Sequence, residues 1–239
     1  MAGGADNIMT GTAARQHEPL LERLEKYFRL SPDPSGLILP PDPEERIWLP
    51  DGLINGRAAR KAAVLIPIVP PVSSFSGTAL HSTDYHIMLT LRTPHLRAHA
   101  GQVSLPGGSM DSTDIDIVHT ALRETEEEIH LPPSKIRVIG KLPPLIMPSA
   151  FHVTPVVGLV DPDAVVKPSP DEVAEIFYLP ASVVFDPASY KVNTMPFQGR
   201  DRRFMEFQFG PHRLWGATAA ILHYLAVQLA EVTKRENQD

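Results

Sequence analysis

The chain has 239 residues, a formal net charge of −6 and no cysteine. It is long enough to bury one sizeable core. Its acidic balance argues against non-specific binding to nucleic acid or an anionic membrane, and the lack of cysteine excludes disulfides and thiolate catalysis. No apolar run approaches the roughly 18 residues that a spanning helix needs, and no charged start leads into an apolar leader, so a cytoplasmic location is expected.

Residues 1 to about 16 are polar and small, which predicts a disordered tail. Residues 19–30 read as a short amphipathic helix, with Leu20, Leu21, Leu24 and Phe28 on one side. Residues 31–56 are proline-rich and irregular, in keeping with 25 prolines in the whole chain. The expected organisation is therefore an N-terminal tail, short helix and Pro-rich segment over residues 1–56, and one folded domain over residues 57–235.

Within that domain residues 62–69 predict a buried strand and residues 85–92 an alternating one. Pro106-Gly107-Gly108 makes a loop whose backbone can pass close to a phosphate or an ion. A helix follows, with Ile117, Ala121, Leu122, Thr125 and Ile129 as its apolar stripe. Asp114 and Asp116 are candidate N-caps, and Pro132-Pro133 stops the helix. Further strands are expected at residues 136–141, 152–159, 173–179 and 204–209. A long helix is expected at residues 215–233, with Ala217, Ile221, Tyr224, Leu225, Gln228 and Val232 on one side. Strands with helices on both faces make an α/β protein, a three-layer α/β/α sandwich around a mixed β-sheet. No internal repeat is visible.

The chemistry concentrates on the central helix. Glu124, Glu127 and Glu128 stand at i, i+3 and i+4, within an arc of roughly 100° on one face. Like charges so placed repel one another. Hard oxygen ligands converging on one point suit Mg²⁺ or Mn²⁺. Glu128 lies at the edge of the apolar stripe and Glu124 beside it, where an unpaired carboxylate is costly. Glu126 points elsewhere, towards solvent.

The glycine loop, the Arg123-Glu124 pair and the Glu127-Glu128 pair together resemble the Nudix box. Gly108 matches its leading glycine and Asp114 its first acid. The sequence departs from the general box in three places. The gap between Gly108 and Arg123 is one residue longer, Asp114 stands where Glu is usual, and His130 stands where a glycine normally ends the helix. The upstream run LTLRTPHLRAHAGQVSLPGG resembles the coenzyme A pyrophosphatase branch of the family, in which the longer gap and the Asp are usual. RKAAVLIPI, PPLIMPSAFHVTPVVG, PDEVAEIFYLP and LWGATAAILHYL resemble other segments of that branch, so the likeness covers about three quarters of the chain.

The resemblance implies a Nudix fold and a diphosphatase that holds Mg²⁺ or Mn²⁺ on Glu124, Glu127 and Glu128. Its partner would be a small-molecule substrate, coenzyme A or a related nucleotide, with no nucleic acid and no membrane; a homodimer is left open. NADH, ADP-ribose or an oxidised nucleotide is the alternative substrate, and a non-catalytic Nudix-fold binding protein the alternative class. Arg97 and His99 read either as ligands of substrate phosphates or as surface charge, with Arg92 a weaker candidate for the same role. Gln102 reads as supporting the loop or touching substrate, beside Gly107 and Gly108. Arg123 reads as holding Asp114 or a neighbouring Glu. Glu172 reads either as the catalytic base or as a solvated loop acid, and Trp215 as a core residue.

Overall fold

The computed structural model describes residues 20–32, 36–38, 60–80, 83–96, 99–147, 149–197 and 199–236. In chain order these form α1 (Leu20–Leu30), β1 (Arg60–Val69), β2 (Ser74–Phe75), β3 (Thr78–Ala79), β4 (His86–Arg92), β5 (Val103–Ser104), β6 (Gly107–Ser109) and α2 (Ile117–Ile129). There follow β7 (Ile136–Lys141), β8 (Leu145–Ile146), β9 (Phe151–Val160), β10 (Val173–Pro180), α3 (Ala181–Val184), β11 (Lys191–Phe197), β12 (Arg200–Phe209), β13 (His212–Trp215) and α4 (Gly216–Glu236). The expected tail and most of the Pro-rich segment lie outside the described residues.

The main sheet is mixed, in the order β10-β4-β1-β9-β7. β1 runs parallel to β9 from Arg60↔Phe151 to Ile68↔Leu159. Its other edge is shared. Ala62 to Val64 pair with β6, and Ile68 and Val69 pair with β4. Leu65 donates to the Pro106 carbonyl. Alternate N–H groups of a strand point to the same edge, so Pro67 presents its nitrogen where β1 has left the glycine segment and not yet reached β4. A proline inside a central strand is tolerated at such a gap, where no ladder bond is lost.

Strand alternation splits the core. Ala63, Leu65 and Val156 pack under α2 with Ala121, beside a cluster that includes Val69, Met88, Ile129 and Val160. On the opposite face Ile66, Ile68, Ile87, Leu89, Val157 and Phe177 pack with α1 and α4. The molecule is thus an α/β/α sandwich around a mixed sheet, extended by a small sheet of β11, β12 and β13. Among the described residues no helix is long and apolar enough to cross a membrane.

The last helix departs from expectation in two ways. The expected last helix begins one residue later, because Trp215 ends β13 and Gly216 turns the chain through a positive φ of 63°. The buried side of α4 is also turned from the expected one. Ile221, Leu225 and Val232 are buried as expected, but so are Thr218, Ala219, Leu222, Ala226 and Leu229, whereas Tyr224 and Gln228 are half-buried. α4 packs against α1, β12 and β13 together, so it is apolar on more than one side and a single stripe misplaces its centre.

α1 docks by Leu24, Tyr27 and Phe28, all buried in the main cluster. A Cβ at Gly140 of β7 would overlap the Phe28 ring. Phe28→Ala should therefore cost about 3 kcal/mol and Gly140→Ala about 2 kcal/mol in urea unfolding. The double variant should cost clearly less than their sum, because an alanine methyl at 140 fills space that the lost ring leaves. Additive losses would mean that α1 does not seat on β7.

Candidate active site

The helix that carries the carboxylates is anchored at both ends. Asp116 is the N-cap, accepting from the His119 N–H at 2.8 Å. His130 ends the helix in the left-handed region, at φ 53° and ψ 31°, and its N–H returns to the Glu126 carbonyl. This is the position at which glycine is usual, and glycine alone takes that conformation without cost. Here the His130 ring compensates by bonding the Lys167 carbonyl at 2.8 Å.

Asp114, the other candidate cap, is a buried partner of Arg123. Its side chain is fully buried, and its two oxygens meet Arg123 Nε at 2.9 Å and Nη2 at 3.0 Å. The Asp111 N–H, the Thr120 hydroxyl and the His119 ring also bond it. The Arg123 guanidinium holds the Asp114 carboxyl well below the usual carboxylate range. Nη2 of Arg123 also reaches Glu124 at 3.0 Å and the Ser109 carbonyl at 3.1 Å, and Nη1 reaches Glu127 at 3.0 Å. Arg123 thereby ties the first turns of α2, the segment leading into it and the glycine loop together.

Glu128 faces the other way. Its side chain is 3% exposed, and Arg92 Nη1 reaches it at 3.1 Å. The Gly107 N–H approaches its second oxygen at 3.4 Å. Arg92 Nη2 also lies 3.7 Å from Glu172, whose side chain is about half exposed. Burial pushes the Glu128 carboxyl up to about 7 against the pull of Arg92, and the Glu172 charge adds to the rise. Burial likewise raises the Glu124 carboxyl, with Arg123 opposing.

The loop explains its two glycines. Gly107 runs at φ +149°, and a Cβ there would strike the Ala63 carbonyl and the Val64 backbone. A Cβ on Gly108 would overlap the Glu124 carboxylate. Both carboxylates therefore sit against bare backbone, one helical turn apart.

The three glutamates do not meet at one point as helical spacing suggests. Arg123 draws Glu124 and the exposed Glu127 to itself, while Arg92 takes Glu128. Among the described residues no group of three or more acidic or histidine side chains stands in metal-holding geometry. The donor set nevertheless fits a hard divalent ion. Glu124 and Glu128 offer carboxylate oxygens to the same glycine loop, and burial makes their charge costly without a cation.

Of the other expected residues, Arg97 lies outside the described residues. His99 is exposed, adopts φ 58°, and its Nδ1 lies 2.9 Å from Gln102 Oε1. Gln102 lines a pocket of about 390 Å³ with Leu91, Val103, Glu175, Arg213 and Trp215. Trp215, expected in the core, is half-buried there because β13 stops beside the hairpin of β4 and β5. The residue that sequence reasoning undervalued is Arg92. Its signal was phase: Met88, Thr90 and Arg92 share the α2 face of an alternating strand.

The charge on Glu128 has a consequence for stability. Its folded value lies above 4.5, so the stability it contributes is present at low pH and is lost as pH rises through about 7. Glu128→Gln cannot ionise. In chelator, the melting temperature of that variant relative to the parent should rise between pH 5 and pH 8, with a free-energy gain of at most the order of 3 kcal/mol. A difference that stays flat or shrinks over that range would show that Glu128 is not desolvated.

Comparison with known proteins follows the same residues. The family model of the NUDIX domain matches residues 73–197. The chain is 41% identical over 187 residues to an uncharacterised Nudix hydrolase, NudL, of Pectobacterium atrosepticum, an alignment spanning 78% of this chain and 91% of that protein. It is 39% identical over 170 residues to the NudL of Escherichia coli O1:K1, spanning 71% and 83%. The crystal structure of a Nudix hydrolase from M. smegmatis, RenU, superposes on 52% of this chain and 72% of its own with a TM-score of 0.41 and 20% identity. The helix of paired glutamates, its Arg123 clamp and the glycine loop stand inside the matched segment, and the chain belongs to the Nudix family.

Proposed function

We propose that this Nudix hydrolase cleaves the diphosphate bond of coenzyme A or an acyl-coenzyme A, giving (acyl-)4′-phosphopantetheine and adenosine 3′,5′-bisphosphate. The observation that carries the diphosphatase reading is the pair of desolvated carboxylates, Glu124 and Glu128, set against the backbone of Gly107 and Gly108. The choice of coenzyme A rests on the resemblance of the run from Leu89 to Gly108.

Glu124, Glu127 and Glu128 would hold Mg²⁺ or Mn²⁺. When bound, such an ion supplies charge neutralisation at the diphosphate and a more acidic water. The chain's own groups do the rest. Gly107 and Gly108 let the loop backbone lie against β1 and against the Glu124 carboxylate. Arg123, locked on Asp114, sets the direction of Glu124 and Glu127. Glu172 is exposed, faces the same corner, and would take the proton as water oxygen bonds one phosphorus and the bridging P–O bond breaks. Arg97, His99 and Gln102 would bind the remainder of the substrate from the β4–β5 connection.

Two measurements test this. In the first, the protein is incubated with Mg²⁺ or Mn²⁺ and coenzyme A, 3′-dephospho-coenzyme A, NADH, ADP-ribose or nucleoside triphosphates, and the products are identified. Coenzyme A should exceed its dephospho form by about 10- to 100-fold, the worth of one paired phosphate, and chelator should abolish turnover. Equal rates for the two would return the substrate to another nucleoside diphosphate derivative. In the second, Glu128→Gln should lower turnover about 100-fold or more, whereas Glu126→Gln, on the exposed side of α2, should change it little. Equal effects of the two substitutions would remove Glu128 from the site.

A further inference from the structure

Arg92 occupies a place that the diphosphatase reading leaves without a purpose. Its backbone is held on both sides. Its N–H donates to the Gln102 carbonyl, its own carbonyl accepts from Gly101, and its Cα pairs with Val173 of β10. Its guanidinium lies between two acids, with Nη1 at 3.1 Å from Glu128 and Nη2 at 3.7 Å from Glu172. Its Nε is buried and has no hydrogen-bond partner among the described residues. A buried donor left unmet is costly, so the guanidinium is placed for the acids and not for its own full complement of bonds.

The other arginine of the site cannot stand in for it. Arg123 is committed to Asp114, Glu124, Glu127 and the Ser109 carbonyl. Among the described residues the only other donor to the Glu128 carboxylate is the Gly107 N–H, at a long 3.4 Å. Arg92 is thus the counter-charge of Glu128. A divalent ion that takes Glu128 as a ligand would meet a resident cation within one hydrogen-bond length of the same carboxylate, at its Oε1. Two cations that close to one carboxylate repel, and the one on a flexible side chain gives way.

We propose that Arg92 is a positioning residue that serves as a built-in counter-ion for Glu128: it holds that carboxylate at the glycine loop in the metal-free protein and yields it to the divalent ion. This rests on the reading of Glu128 as a metal ligand. It has a directional consequence. Arg92 stabilises the empty protein and weakens metal binding, so its removal moves the two quantities in opposite directions. A residue that merely braced Glu128 would move both the same way.

The test uses the full chain and Mn²⁺ alone. Binding is read by water-proton relaxation, and thermal stability is read in chelator and again at saturating Mn²⁺. Arg92→Gln should bind Mn²⁺ about ten-fold more tightly than the parent and melt lower in chelator, with the gap closing when Mn²⁺ saturates. Arg92→Lys, which keeps the charge, should lie near the parent in both. Weaker or equal Mn²⁺ binding by Arg92→Gln, with the parent binding normally, overturns this inference and leaves the metal reading intact. A parent that binds no Mn²⁺ overturns both. The unmodified protein gives a second reading should Arg92→Gln not fold. In arginine-labelled protein, Mg²⁺ should shift the Nε–H resonance of Arg92 and leave that of Arg137, paired with Glu25, unchanged. An unmoved Arg92 resonance at saturating Mg²⁺ overturns the inference.

Discussion

Mutual repulsion among carboxylates governs this end of the sheet. Asp114, Glu124, Glu127, Glu128 and Glu172 come from α2, the segment before it and the residue before β10, and Glu124 and Glu128 meet the glycine loop. Two arginines divide them. Arg123 takes Asp114, Glu124 and Glu127, and Arg92 takes Glu128 and Glu172. The division is unequal in solvation. Asp114 is fully buried and richly bonded, so its charge is held firmly. Glu128 is nearly as buried but has one strong donor and one long one, so its charge is held weakly. A weakly held buried charge is the component of the cluster that responds to an added cation.

The fold supplies the backbone that makes this tolerable. β1 parts from β6 before it meets β4, and the gap falls at Pro67, which has no N–H to leave unmet. Gly107 and Gly108 pair with β1 ahead of that gap and run under α2 without side chains. Gly107 crosses directly over Ala63 and Val64, and Gly108 directly under Glu124. The site is therefore tied to β1 through backbone contacts that no side chain could replace. The sheet needs the glycines for its register, and the carboxylates need them for their room.

What the sequence made legible follows from how local each signal is. The period of α2, its proline stop and the strands of β1, β4, β7, β9 and β10 are patterns within a dozen residues, and the structure has elements at each of them. The pairing of Arg123 with Asp114 was also open to reading, since both flank one helix start. The sheet of β11, β12 and β13 was only partly visible. β11 carries Pro196 and is largely exposed, so it shows neither a clean alternation nor an apolar run. The orientation of α4 failed because several elements cover it on more than one side. The convergence of the glutamates failed for an electrostatic reason. Helical spacing sets where Cβ atoms point, but the last two bonds of a glutamate follow whichever cation lies nearest, and Arg92 arrives from a strand 36 residues away.

The same reasoning explains why His130 can replace the usual glycine at the end of α2. The left-handed cap is needed for its direction, since it turns the chain so that the next segment folds back along the helix end. Lys167 then donates its N–H to the Ile129 carbonyl, and Ser169 to the carbonyl of Glu128 itself. Glu172 follows, its N–H on the Ser169 carbonyl, and its own carbonyl accepts from Thr93, next to Arg92. The His130 ring adds a bond to the Lys167 carbonyl in that returning segment. One chain of backbone bonds therefore fixes Glu172 relative to Glu128 from the helix side and relative to Arg92 from the strand side. Glycine would cap the helix with less strain but without the ring's hold on the segment. The departure from the family pattern trades intrinsic backbone preference for a tether, and the tether runs to the loop that positions the remaining acid of the site.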